Sequence, residues 1–238
     1  TFELLGRHRY RKGQGVLGVG DPAYGGVDGV QTRRRGPSLA PLPATRAEVE
    51  AITTGSGDRH LLGAEATEHG LRTALSAKGP DHVWKSVHLA CHAIVDVESP
   101  SMTSLALTPG GGEDGLLSSA EVLQLNLRTD LAVLSACRTA RGKYVRGEGL
   151  MSLTRAFMFA GAPRLIVSLW DVDDDATAFL MTTFYREWNA GRSTAQALRR
   201  AQLSVRDHEI RDASSGKTSR PWSDPKYWGA WVLWGLPE

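Results

Sequence analysis

Two residues in this chain have the type and setting for nucleophilic chemistry. Cys137 closes the run Leu131-Ala-Val-Leu-Ser-Ala-Cys137, and His92 closes Ser86-Val-His-Leu-Ala-Cys-His92, 45 residues (137 − 92) upstream. A thiol is a useful nucleophile near neutral pH only when a base or a positive charge favours the thiolate, which an adjacent imidazole does. The plain alternative is that a cysteine behind an apolar strand is simply a small buried hydrophobe. Shared placement separates the two readings. Each residue falls just past a predicted strand, and in an open parallel sheet ligands gather at the carboxyl ends of the strands. If those strands are neighbours, sulfur and imidazole reach one crevice, with Cys137 as nucleophile and His92 as general base.

The elements that must position them are legible. Val16–Val19, Ser86–Ala90, Leu131–Ser135, Leu165–Leu169 and Ala230–Trp234 are short, continuous apolar runs with helical patterns between most of them. That alternation predicts an α/β fold, three-layered, with a mainly parallel central sheet and helices on both faces. Helices are expected over 45–54, 66–77, 118–124, 148–160, 174–189 and 193–207. Thr45-Arg-Ala-Glu48, Ser118-Ser-Ala-Glu121 and Ser193-Thr-Ala-Gln196 each spell a capping box at a helix start. Asp21–Pro43, Glu98–Gly115, Arg138–Gly147 and Arg211–Lys226 read as loops, the third basic and directly behind the cysteine.

The other chemistry-bearing residues have simpler readings. His88 is interior to its strand and reads as a core histidine bonded to a backbone carbonyl. Cys91 reads as packed at the strand end, pointing away from His92. His8, His60, His69, His82 and His208 sit in polar surroundings and read as surface residues. Gly13-Gln-Gly15-Val-Leu-Gly18 spells a dinucleotide motif, but a predicted strand overlaps it instead of preceding it, so nucleotide binding is rejected. Asp171-Val-Asp-Asp-Asp175 begins like a calcium loop, yet Ala176 and Thr182 replace the glycine and glutamate that such a loop needs. No Cys/His spacing suits zinc, so neither metal nor cofactor is expected. The acids instead follow the strand Leu165–Leu169 at the same edge as Cys137 and His92. There a carboxylate either caps the next helix, as Asp173 or Asp174 would, or lines a pocket for a substrate arginine or lysine.

Bulk properties set the context. At 238 residues with 41% hydrophobic content, the whole of 1–238 reads as one domain with a proper core. Its 28 basic and 26 acidic residues are interspersed for a net charge of +2, so nucleic acid is not the expected partner. Two cysteines do not make a disulfide framework, and a reducing cytoplasm is expected. No apolar run reaches the ~18 residues a membrane span needs. Arg7, Arg9, Arg11 and Lys12 precede no apolar segment of the kind a signal peptide carries. A start at Thr1 in place of Met predicts a piece or processed form of something longer.

From Val16 to Gly235 the chain resembles the CHAT domain, a bacterial branch of the caspase and separase clan of cysteine peptidases. The resemblance rests on Leu17-Gly-Val-Gly-Asp-Pro22, His88-Leu-Ala-Cys-His92, Asp130-Leu-Ala-Val-Leu-Ser-Ala-Cys-Arg-Thr139, Gly147-Glu-Gly149, Arg155-Ala-Phe-Met-Phe-Ala-Gly161, Val167-Ser-Leu-Trp-Asp-Val-Asp-Asp174 and Tyr227-Trp-Gly-Ala230 in that order. Ser-Ala-Cys-Arg is also one letter from the start of the caspase signature. The resemblance implies a caspase-like fold and an endopeptidase that cuts a protein substrate in a regulated signalling or defence pathway. It implies His92 as base, Cys137 as nucleophile, the N–H groups of Ala93 and Cys137 as oxyanion donors, and Asp171 and Asp174 as the acids selecting a basic residue before the cut. It further implies a TPR or ligand-sensing regulatory module, which this chain does not itself contain. The family usually carries glycine where Ala93 stands; alanine keeps the N–H but resists positive φ. The alternative on the same fold is a catalytically inactive interaction module.

Overall fold

The computed structural model describes residues 12–24, 39–95, 99, 102–135, 148–211 and 216–236. Six strands form the central sheet: β1 (Val16–Pro22), β2 (Arg59–Gly63), β3 (Trp84–Ala90), β7 (Thr129–Ser135), β8 (Arg164–Ser168) and β11 (Trp231–Gly235). Their order is β11-β8-β7-β3-β1-β2, all parallel except for β11 at one edge. Five of the six are the predicted strands; β2, with the less apolar sequence Arg-His-Leu-Leu-Gly, is the addition.

Side chains alternate across this sheet and divide the core in two. Leu17, Val87, Leu89, Ala132 and Leu134 meet α2 (Glu68–Ser76), α3 (Ser119–Val122) and α4 (Glu148–Ala160) on one face. Leu131, Val133 and Ile166 meet α1 (Pro43–Ile52), α5 (Asp174–Asn189) and α6 (Thr194–Arg206) on the other. Helices therefore cover both faces, as the continuous apolar strands require. The capping boxes at Ser118/Glu121 and Ser193/Gln196 are present, and Asp173 caps α5 by accepting from the Ala176 N–H.

The third expected capping box is absent. α1 begins at Pro43, with no side-chain cap from Leu42. Proline at the first helical position presets φ and lacks an N–H that would go unpaired anyway, so the helix starts before Thr45. Glu48 is thereby released to face the sheet, where it is 3% exposed. Gly18 and Gly20 let α1 come this close. A Cβ on Gly18 would lie 2.6 Å from Val49 Cγ1, and one on Gly20 would lie 2.8 Å from the Thr45 carbonyl oxygen.

The segment Glu98–Gly115, read as a loop, contains β5 (Ser104–Ala106). It is the middle strand of a small antiparallel sheet with β4 (His92–Ile94) and β6 (Leu116–Ser118). Three-residue strands carry too little pattern to stand out from their flanks. The loop Arg211–Lys226 likewise holds β10 (Thr218–Ser219), which pairs with β9 (Ile210–Arg211).

At the start of α2, Glu68 is an acid inside the protein. Its side chain is 0% exposed, 3.2 Å from Arg72, which also reaches Glu113 at 3.3 Å. Burial, reinforced by Glu121 and Glu113, raises its pKa to about 7 despite Arg72. The folded protein thus binds a proton here more tightly than the unfolded chain. That contribution to stability is full below the unfolded value near 4.5 and is lost as pH rises through about 7. Glu68→Gln is expected to raise the melting temperature at pH 8 and to flatten its decline between pH 5 and 7. Melts across that range check it, and equal slopes for the two proteins would refute it.

Candidate active site

β3 and β7 are neighbours, and their parallel register closes with Ala90 opposite Ser135. His92 lies two residues beyond the first of these and Cys137 two residues beyond the second. Cys137 and the basic loop Arg138–Arg146 lie outside the described residues, so the cysteine's half of the site, its N–H included, is given only by the strand that leads to it.

His92 opens β4 after a one-residue bend at Cys91 and is 6% exposed. Its Nε2 is 2.8 Å from the carbonyl oxygen of Ala40. A carbonyl only accepts, so Nε2 carries the proton, and in the neutral ring the lone pair resides on Nδ1. That Nδ1 is buried and has no hydrogen-bond partner among the described residues. The main-chain N–H of His92 donates to the Tyr24 hydroxyl at 3.2 Å, and the two rings pack at 5.2 Å between centroids. Tyr24 and Ala40 fix the ring from two sides and leave one nitrogen basic. This is the arrangement a general base needs. Tyr24→Phe keeps the ring contact and removes one acceptor, so a stability loss of about 1 kcal/mol is expected, read by urea denaturation.

The neighbouring groups sort themselves by environment. Cys91 is 1% exposed in the core, and burial pushes its thiol up to about 12, so it is a poor nucleophile. Ala93 lies in β4 and is 1% exposed. The single non-glycine residue at positive φ among the described residues is Asp21, so alanine in place of glycine is unstrained at position 93. Asp174, the first residue of α5, lines a crevice with Glu48, Cys91, Ser135 and Thr177. Desolvation raises its pKa, Asp173, Glu48 and Asp175 add to the rise, and His92 opposes it. Asp174 and His92 therefore lie within electrostatic reach of one another. Asp171 is exposed in the turn before the helix and is not among the residues lining the crevice.

His88 corrects an expectation. It is fully buried, but its partners are side chains: Nε2 meets Glu48 Oε1 at 2.9 Å, and Nδ1 meets the Tyr185 hydroxyl at 3.3 Å. Tyr185 also bonds Ser86 Oγ at 2.8 Å. This network ties α1 and α5 to β3, and one of its members, Glu48, also lines the crevice. Two more histidines are less open than their polar surroundings predict. His208 is half-buried and stacks on Trp222 at 4.7 Å, and His82 sits edge-on to Trp84 with its pKa lowered chiefly by burial. His60 and His69 are exposed as expected. Among the described residues no three His, Cys, Asp or Glu side chains gather to hold a metal ion.

The sequence reading missed Tyr24, Ala40, Glu48 and Thr177. Ala40 acts through its carbonyl, which no residue type advertises, and Glu48 was hidden by its capping-box spelling.

A six-stranded, mainly parallel sheet layered by helices, with an oriented histidine at its carboxyl edge, defines a caspase-like α/β domain. The CHAT domain model matches residues 4–236, and the chain belongs to that family. It is 26% identical over 233 residues to Tetratricopeptide repeat protein 28 of Mus musculus and, equally, of Homo sapiens, with 82% of this chain covered. It spans only 9% and 8% of those two proteins. Separase of Saccharomyces cerevisiae, in its complex with securin, superposes over 99% of this chain and 13% of its own, with a TM-score of 0.52 at 16% identity. That likeness is one of fold. Among the described residues no helix is long and apolar enough to cross a membrane.

Proposed function

We propose that this chain is a cysteine endopeptidase domain in which Cys137 and His92 form the dyad. The observation that carries the reading is the buried His92 ring, held through Nε2 by the Ala40 carbonyl with Nδ1 left as acceptor, at the end of the strand beside the one leading to Cys137. His92 Nδ1 takes the thiol proton of Cys137, and the thiolate adds to the scissile carbonyl carbon. The N–H groups of Cys137 and Ala93 are the proposed oxyanion donors, each worth about 3 kcal/mol. The tetrahedral adduct collapses as His92 returns the proton to the leaving amine. His92 then deprotonates a water that hydrolyses the thioester, releasing the acid and restoring the thiol. The Ala40 carbonyl serves as the orienting third member. The acidic crevice beside His92 supports cleavage after arginine or lysine, with Asp174 and Asp171 as the acids first nominated for that role. Its relatives' name supports a tetratricopeptide-repeat module as the regulatory neighbour of such a domain in a longer protein.

The test is exposure of the protein, and of Cys137→Ala, to acyloxymethyl ketones of peptides ending in arginine, lysine or norleucine, with adducts read by mass spectrometry. Labelling of Cys137 by the basic peptides supports the reading. A second reading, a non-catalytic interaction module, is favoured by one finding: the relatives are named for a repeat and not for a peptidase. Failure of every ketone to label Cys137, in the presence of the longer protein's other segments, would establish the module instead.

A further inference from the structure

His92 follows the carboxyl end of β3, and a separate cavity of about 430 Å³ lies at the opposite, amino edge of the sheet. It is lined by Gly79 and Pro80, ahead of β3, and by Arg128, directly ahead of β7. The Trp84 N–H donates to the Arg128 carbonyl at 2.7 Å and pins the two strand starts together. We infer that this cavity is a second binding site, and that it takes a small organic anion, a phosphate ester with an apolar body. The assignment stands apart from the peptidase reading and uses none of its residues.

Size, charge and uncommitted donors carry it. Small-molecule sites are concave, span roughly 300–1,000 Å³ and combine apolar surface with a few polar groups. Here the apolar surface comes from Leu75, on α2, and from Leu125, which belongs to the core. Two arginines line the cavity and no acidic residue does. Arg72 is held by Glu68 through Nη2 and by Glu113 through Nε, and neither contact uses Nη1. Exposure alternates along the segment leading into β7: Gln124, Asn126 and Arg128 are exposed, and Leu125 and Leu127 are buried. Those three polar residues all line the cavity, and among the described residues none of their side chains has a hydrogen bond or ion pair. A guanidinium offers charged N–H donors in a fork that fits phosphate oxygens, and side-chain amides add uncharged donors. Donors that nothing inside the protein engages, set around an apolar surface, favour an anion that carries an apolar group over a bare one. β3 is seven residues long, so a ligand here lies about 20 Å from His92. That is the place of an effector, beyond reach of a bond being cut.

Phenyl phosphate is the probe, titrated into the full chain by chemical-shift perturbation, with inorganic phosphate and phenol as its separate halves. Saturable binding of phenyl phosphate is expected, about tenfold or more tighter than that of inorganic phosphate, and phenol alone should not saturate. Arg128→Gln should weaken it about tenfold or more. That arginine is exposed and its side chain unpaired, so the variant does not threaten the fold. Arg199→Gln, which removes an exposed arginine of α6 outside the cavity, should leave binding within about twofold. Absence of saturable binding overturns the assignment, as does an equal loss in both variants, which would reduce it to general surface charge. Inorganic phosphate binding as tightly as the ester would also overturn it. So would a glutamate-rich peptide that binds where phenyl phosphate does not, since the cavity would then belong to a protein partner.

Discussion

Cys137→Ala is expected to reduce cleavage of any peptide the protein cuts by about 10⁴-fold or more, because in the proposed dyad its sulfur is the attacking atom. The one other thiol, that of Cys91, is buried with its pKa pushed up to about 12, which makes it a poor substitute. His92→Ala should cost about 10²–10⁴-fold, the span attributed to a positioned general base. The two losses should not add, since base and nucleophile act as one unit: the double variant is expected near the Cys137→Ala value. Single-turnover cleavage with mass-spectrometric identification of cut sites is the measurement. Retained cleavage in Cys137→Ala would move the chemistry to another residue and end the dyad proposal. A His92→Ala protein with full activity would leave the Ala40–His92–Tyr24 arrangement without a catalytic purpose.

The second large effect concerns stability. His88→Leu is expected to destabilise the fold by about 3–5 kcal/mol, because it strands the buried Glu48 carboxylate and takes a partner from Tyr185. For a domain of this size that corresponds to a melting temperature lower by roughly 10 °C. Replacing both partners with apolar groups, as in Glu48→Leu with His88→Leu, removes the stranded charge, and part of the loss should return. Thermal melts of the wild type, single and double variants form the test. A double variant less stable than His88→Leu by the full cost of Glu48→Leu would mean that the two side chains are uncoupled. Because the same pair holds α1 against β3, and Ala40 lies just ahead of α1, His88→Leu should also slow ketone labelling of Cys137.

Much of the fold could be read from the chain. The interior strands announced themselves because a strand buried on both faces carries a continuous apolar run, as Leu131–Leu134 and Leu165–Val167 do. Ser118 with Glu121 and Ser193 with Gln196 marked real helix starts, since a hydroxyl and an acid or amide three residues on satisfy free N–H groups locally. Thr45 with Glu48 has the same spelling and a different role. Pro43 started the helix a turn earlier, and a buried His88 on another strand offered the carboxylate a partner.

Local rules therefore determined the layered α/β architecture, the strand-end positions of His92 and Cys137, and the presence of acids at the start of α5. Tertiary structure alone decided which strands are neighbours, that Ala40 and Tyr24 converge on His92, and that Glu48 and Thr177 share a crevice with Asp174 while Asp171 stands outside. The physical reason is range. Hydrophobic burial and capping act over a few residues and leave a periodic trace, whereas a hydrogen bond such as that from His92 to Ala40 joins positions 52 residues apart through a backbone oxygen that every residue possesses.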